Sequence, residues 1–134
     1  MQQRDLLQDQ IEQLGRTLGK LVAYLLQLQQ TGDLHPGLQQ ARQETKDRTG
    51  IDLDALLGRP HADLLAYATA HDLTAGHLDQ LADYLGRLAR LAAPEERSTY
   101  LTTAIHLLEV ADERSQTYSF SRVAAKTHLL ALLR

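Results

Sequence analysis

Histidines are the first residues to consider, because metal binding and acid–base catalysis both use imidazole groups. The chain has six histidines and no cysteine, which excludes thiolate metal sites, thiol catalysis and disulfides. His71 and His77 stand six residues apart in HDLTAGH, whereas helical zinc motifs such as H-E-x-x-H use shorter spacings. We therefore predict no metal and no other cofactor.

The alternative for these histidines is a small pocket between helices. Tyr84 follows His77 by seven residues and therefore shares its flank of one predicted helix. If His71 reaches the same place through the turn, the three side chains would surround a pocket. Such a pocket would make the protein a small-ligand sensor or a cryptic enzyme.

The acidic residues, the serines and the glycines give only weak signals for catalysis. Asp79 and Asp83 lie one helical turn apart, but the chain has no Glu-x-x-His pair of the kind that di-iron bundles use. They are interpreted as a solvated charged face that pairs with nearby arginines. No serine lies in a G-x-S-x-G turn, and no glycine-rich phosphate loop is present. We expect a protein that is not an enzyme and has no catalytic residues.

Arg87, Arg90 and Arg97 form a basic spot near the turn at Pro94, which could hold a carboxylate or a phosphate. Neighbouring acidic residues reduce the local positive charge, so we interpret the three arginines as helix-end charges. The net charge is -3 and no basic stripe is visible, which argues against nucleic acid as a partner.

These residues must be positioned by helices. Leucine, alanine, glutamine and arginine dominate the 134 residues, and no stretch alternates with the period of a strand. We predict a single all-α domain over residues 1–134, a bundle of about six to seven helices. The predicted helices cover residues 5–29, 36–49, 54–57, 62–70, 75–92, 94–111 and 120–133. The second is expected to be an exposed arm, because its apolar content is thin.

The first helix carries the clearest pattern. Leucines and one isoleucine form an a/d seam, and a second apolar stripe with two glycines lies beside it. This face is wider than one core surface requires, so we expect a close helix crossing, either within the chain or in a homodimer. The seam is Leu7, Ile11, Leu14, Leu18, Leu21, Leu25 and Leu28; the packing or interface candidates are Leu14, Gly15, Leu18, Gly19, Val22 and Leu26.

The last helix is predicted to bury Val123, Ala124, Thr127, Leu130 and Leu133. A peptide groove between the last helices would require Tyr100, Tyr118 and Phe120 to be exposed on one surface. The competing interpretation is that these aromatic residues fill the core. The polar first ten residues and the absence of any 18-residue apolar window favour a cytoplasmic protein with no membrane association.

Three segments together resemble a group of small, uncharacterised bacterial all-helical proteins, a domain of unknown function. The segments are RDLLQDQIEQLGRTLGKLV, GIDLDALLGRPHADLLAYA and AIHLLEVADERSQTYSFSR. The resemblance implies a bacterial cytoplasmic protein whose C-terminal part has tetratricopeptide-like helix hairpins, but no activity and no site residues. The leading hypothesis is a non-enzymatic helical scaffold that binds protein, including itself.

Overall fold

The computed structural model describes the backbone of residues 2–31 and 37–134, and the side chains of residues 8–27 and 38–134. The described residues form six α-helices and one short 3₁₀ turn, and contain no β-strand. The helices are α1 (Gln2–Thr31), α2 (Gly37–Thr49), α3 (His61–Ala70), α4 (Ala75–Leu88), α5 (Pro94–Ser115) and α6 (Phe120–Leu133), and the turn is Leu53–Ala55. The predicted all-α bundle with a long first helix is confirmed.

Local chemistry at the helix starts explains where α4, α5 and α6 begin. The Thr74 hydroxyl accepts a 3.1 Å hydrogen bond from the His77 backbone N–H, and Pro94 occupies the first turn of α5. Ser119 caps α6 by accepting from the Arg122 backbone N–H at 3.4 Å. These caps satisfy N–H groups that a helix leaves unpaired at its start, so neighbouring residues set the boundaries.

Helix α5 lies at the centre of the bundle, where it packs against α3, α4 and α6. Helix α4 lies between α5 and α1 and also touches α6. Helix α2 packs against α1 and against the 3₁₀ turn. Consequently α1 and α6 are both outer helices, and each turns one face toward α4.

Helix α2 is not the exposed arm that its thin apolar content predicts. Ala41 and Thr45 are buried one turn apart, and the Thr45 hydroxyl donates to the Ala41 carbonyl at 2.7 Å. The Arg42 guanidinium donates from Nε to the Tyr100 hydroxyl at 2.7 Å and lies 3.3 Å from an Asp54 carboxylate oxygen. The prediction was wrong because small and polar side chains, which a hydrophobicity pattern does not register, attach this helix.

Candidate functional site

Two carbonyl groups of α1 accept hydrogen bonds from side chains of α4. His77 Nε2 lies 2.8 Å from the Ile11 carbonyl oxygen, and the Gln80 amide nitrogen donates to the Gly15 carbonyl oxygen at 3.0 Å. A helical side chain covers the turn that precedes its own Cα. Gly15 therefore uncovers the Ile11 carbonyl, and Gly19 uncovers the Gly15 carbonyl. The two glycines open the α1 backbone to polar groups of α4.

His77 uses both ring nitrogens in this junction, and its side chain is only 3% exposed. Nδ1 accepts a 3.1 Å hydrogen bond from the Thr74 backbone N–H, which completes a reciprocal capping box. A nitrogen that accepts such a bond carries no proton, so Nε2 carries the proton and donates to Ile11. His77 thus joins α1 to the start of α4. The spacing Thr-x-x-His was the available sequence signal, with histidine in place of the usual glutamate or glutamine.

The structure does not bring His71, His77 and Tyr84 together. His71 is exposed and stacks on Tyr67, with ring centroids 4.1 Å apart. Tyr84 is buried, and its hydroxyl lies 3.3 Å from the Thr45 hydroxyl. Burial raises the pKa of Tyr84 above its ordinary value. Because the three side chains have separate partners, their placement gives the predicted pocket no support.

The packing candidates on α1 divide between core and surface. Leu18 is buried, Leu14, Gly15 and Val22 are half-buried, and Gly19 and Leu26 are exposed. Of these, Gly15 and Gly19 lie beside Gln80 of α4, and α1 as a whole packs against α4 and α2 of the same chain. The seam residues Leu7 and Leu28 lie outside the described side chains. Pro36, the predicted first residue of the second helix, lies outside the described residues. Much of the wide apolar face of α1 is therefore occupied within the chain.

Helix α6 has apolar residues on two opposite faces. Its inner face lies on α4 and α5 and includes Leu129, which is 6% exposed. We define the outer face of α6 by residues three or four positions apart: Phe120, Val123, Thr127 and Leu130, with Ala124 and Ala131 beside them. The side chains of Phe120, Val123 and Leu130 are 97%, 53% and 47% exposed.

This orientation reverses the predicted one. Val123, Ala124, Thr127, Leu130 and Leu133 were expected to be buried, and all five are exposed. The three aromatic residues of the predicted groove also divide: Tyr100 is buried, whereas Tyr118 and Phe120 are exposed. They do not form the single aromatic groove that the peptide-binding hypothesis requires.

A buried arginine determines which face of α6 points inward. The Arg122 side chain is 10% exposed, and its Nε donates to Asp79 on α4 at 2.7 Å. One terminal nitrogen donates to Asp112 and to the Ser115 hydroxyl on α5, both at 3.2 Å. Hydrogen bonding to the carboxylates, Asp79 above all, raises the pKa of Arg122 above its ordinary value.

Neither Arg122 nor its role follows from an apolar pattern, since its partners Asp79 and Asp112 lie on other helices. Because Leu129 follows Arg122 by seven residues, it lies on the same side of α6. The residues of the outer face point away from that side. The ion pairs of Arg122 therefore hold α6 in the orientation that exposes Phe120, Val123 and Leu130.

The predicted basic spot is divided between several partners. Arg87 Nε donates to the Asp83 carboxylate one turn earlier at 3.2 Å, which confirms the predicted surface pairing for Asp83 but not for Asp79, whose partner is Arg122. Arg97 Nε donates to the Ala89 carbonyl at 3.1 Å beyond the end of α4, in agreement with a helix-end charge. Arg90 is exposed beside a cavity between α4 and α6.

Metal sites and membrane spans are two kinds of feature that the described residues allow to be tested. Among the side chains described, those of residues 8–27 and 38–134, no group of three or more metal-ligating histidine or acidic side chains is close enough to hold an ion. Within 2–31 and 37–134, no helix has both the length and the apolar character that spanning a membrane requires.

Comparison of the chain with protein-family models, with curated proteins and with solved structures gives no match. Two structural features can support a functional proposal: the outer face of α6, and a cavity between α4 and α6.

Proposed function

We propose that this chain is a non-enzymatic helical interaction module that associates with a second copy of itself through the outer face of α6. One observation carries the proposal. A helix with apolar residues on two opposite faces belongs between two layers, and α6 has only its inner face covered by described residues. The exposed Phe120 at its first position is the largest anchor on that face.

The spacing of the outer face favours a second copy as the occupant. When two copies of α6 pair antiparallel about Thr127, Val123 of each lies opposite Ala131 of the other, and Leu130 of each lies opposite Ala124. Phe120 then lies opposite Arg134, so an aromatic ring meets a guanidinium group. Ala124 and Ala131 lie along one flank, where their small side chains allow the two helices to approach closely. The same surface is thus complementary to itself, as a two-fold dimer requires.

The area of this contact suits a reversible dimer. A pair of helices of 14 residues each, about 21 Å long, buries on the order of 1,000 Å² in total. That is near the lower limit for specific interfaces, so we expect a dissociation constant in the micromolar range. The exposed Tyr118, just before α6, can extend the contact.

The proposal also includes an expected cell compartment and an expected class of partner. We expect a bacterial cytoplasmic protein whose partner is protein rather than nucleic acid or membrane, in keeping with its net charge of -3. The tetratricopeptide-like packing of the C-terminal helices stays a prediction. Separately, a Cβ atom on Gly86 would lie 3.0 Å from Leu129 Cδ2. Gly86 therefore allows α4 and α6 to approach closely.

The test is the molar mass of the purified chain, measured by light scattering or sedimentation from low to high micromolar concentration. The mass is expected to rise from the 15.0 kDa of one chain toward twice that value. Leu130→Glu puts a carboxylate in the middle of the apolar contact, and we expect it to weaken dimerisation by at least about tenfold.

The matched control is Leu26→Glu, which adds the same charge at an exposed leucine on α1. It is expected to leave the dimer intact. A wild-type chain that stays monomeric at high micromolar concentration would refute self-association. A dimer that Leu26→Glu disrupts and Leu130→Glu preserves would assign the contact to α1 instead.

A further inference from the structure

A cavity of about 200 Å³ lies between α4 and α6, on the side of α6 away from its outer face. Its floor is apolar and includes Ala82, Leu108, Ala125 and Leu129. A second cavity of about 240 Å³ adjoins it, and both are lined by Leu132. The first is smaller than the roughly 300–1,000 Å³ of sites for drug-sized ligands, so a matching ligand has only a few carbon atoms.

The rim of this cavity carries equal numbers of acidic and basic side chains, Asp79 and Asp83 against Arg87 and Arg90, but they are not all paired with one another. Asp79 accepts from Arg122 at 2.7 Å, and Asp83 accepts from Arg87 at 3.2 Å, so each carboxylate already has a cationic partner. Two further groups on the rim, Arg90 and His128, differ. Among the described residues, the Arg90 guanidinium and the His128 imidazole have no hydrogen-bond or ion-pair partner.

We propose that this cavity binds a small carboxylate that has a short aliphatic chain. The chain would occupy the apolar floor, and the carboxylate would lie at the rim within reach of Arg90 and His128. A guanidinium group is well suited to a carboxylate, because its planar donors match the two oxygen atoms. An uncharged molecule of equal size would gain only the contact with the floor.

The end of α4 is the main electrostatic objection, because carbonyl groups there repel an anion. Arg97 answers it. Its Nε donates to the Ala89 carbonyl at 3.1 Å, and a terminal nitrogen lies 3.5 Å from the Ala92 carbonyl. The positive charge of Arg97 is thus already applied to the helix end, and Arg90 remains for the ligand.

The probe is hexanoate, and the readout is the amide spectrum of the isotope-labelled chain. Saturable shifts are expected at Gly86 and Leu129, which line the cavity. Hexanol, which lacks the charge, is expected to bind at least about tenfold more weakly. Arg90→Gln should weaken hexanoate by about tenfold, whereas Arg16→Gln, at an exposed arginine on α1, should leave binding unchanged.

Ala125→Leu fills the cavity and is expected to abolish binding without changing the helix content. If that variant does not fold, Arg90→Gln decides, because its side chain is exposed and not needed for packing. Equal affinity for hexanol and hexanoate, or equal binding by the Arg90→Gln variant, would overturn the role of the carboxylate. Absence of saturable shifts at high millimolar hexanoate would overturn the site.

Discussion

Gln80 donates its side-chain amide to the carbonyl oxygen of Gly15 at 3.0 Å, so a side chain of α4 bonds directly to the backbone of α1. In membrane proteins, a pair of small residues four apart brings two helix backbones together. Here the pair Gly15 and Gly19 instead uncovers carbonyl groups for Gln80 and His77. A Cβ atom at Gly15 would lie 3.6 Å from Gln80 Oε1, and one at Gly19 would lie 3.9 Å from Gln80 Nε2.

Gly15→Ala is expected to raise the free energy of unfolding by about 0.5–1 kcal/mol, because the methyl group fits and alanine favours helix. Gly15→Leu should lower it by about 1–3 kcal/mol, because the longer side chain displaces Gln80 and His77. Urea denaturation followed by circular dichroism measures both. Gly19 is more exposed, so Gly19→Leu is the control and should cost less than Gly15→Leu. Equal or greater stability of Gly15→Leu would show that the junction does not depend on an open backbone at residue 15.

Arg122→Met should lower the free energy of unfolding by about 3 kcal/mol. The substitution keeps the length of the side chain but leaves the carboxylates of Asp79 and Asp112, both partly buried, without their cation. Thermal or urea unfolding gives the loss, and faster proteolysis between α5 and α6 would report loosening of the last helix.

Arg87→Met is the matched control for the Arg122 substitution. Its partner Asp83 is half exposed, and exposed ion pairs one turn apart contribute less than about 1 kcal/mol. Losses of similar size in the two variants would contradict the view that Arg122 holds α6 in place.

The starts of α4 and α5 were predictable because the responsible chemistry is local, whereas their ends, at Leu88 and Ser115, differ from the predicted 92 and 111. Thr74 and Pro94 indicate helix starts on their own, and the structure has both where the sequence indicates them. The leucine seam of α1 also predicted buried positions, and Leu18, Leu21 and Leu25 are buried.

The orientation of α6 was not predictable from its apolar pattern, because leucine, valine and alanine occur on both of its faces. The two orientations differ by which side meets α4 and α5, and the ion pairs of Arg122 with Asp79 and Asp112 favour one of them. These partners are 43 and 10 residues away along the chain. A pattern confined to one helix holds no information about such contacts. The same reasoning applies to Gln80 and His77, whose partners are on α1.

Three buried or half-buried tyrosines predict a loss of stability in alkaline solution. Burial raises the pKa of Tyr67, Tyr84 and Tyr100, so the folded chain keeps phenolic protons that the unfolded chain releases above about pH 10. Proton release by the unfolded state alone favours unfolding. Stability is therefore fully present below about pH 10 and falls as the pH rises toward the folded-state values.

Tyr84→Phe removes one of these protons and should make the free energy of unfolding less steeply dependent on pH above about pH 10. Its stability near neutral pH should change little, because the Tyr84 hydroxyl makes only long contacts, 3.3 Å to Thr45 and 3.4 Å to the Ala41 carbonyl. Urea unfolding between about pH 8 and about pH 11 measures the slope, and tyrosinate absorbance follows the titration without interference, since the chain has no tryptophan. Tyr118→Phe is the control, because Tyr118 is 90% exposed and its removal should leave the slope unchanged. An identical alkaline slope for Tyr84→Phe and the wild type would mean that Tyr84 ionises without opening the core, which its burial between α2 and α4 argues against.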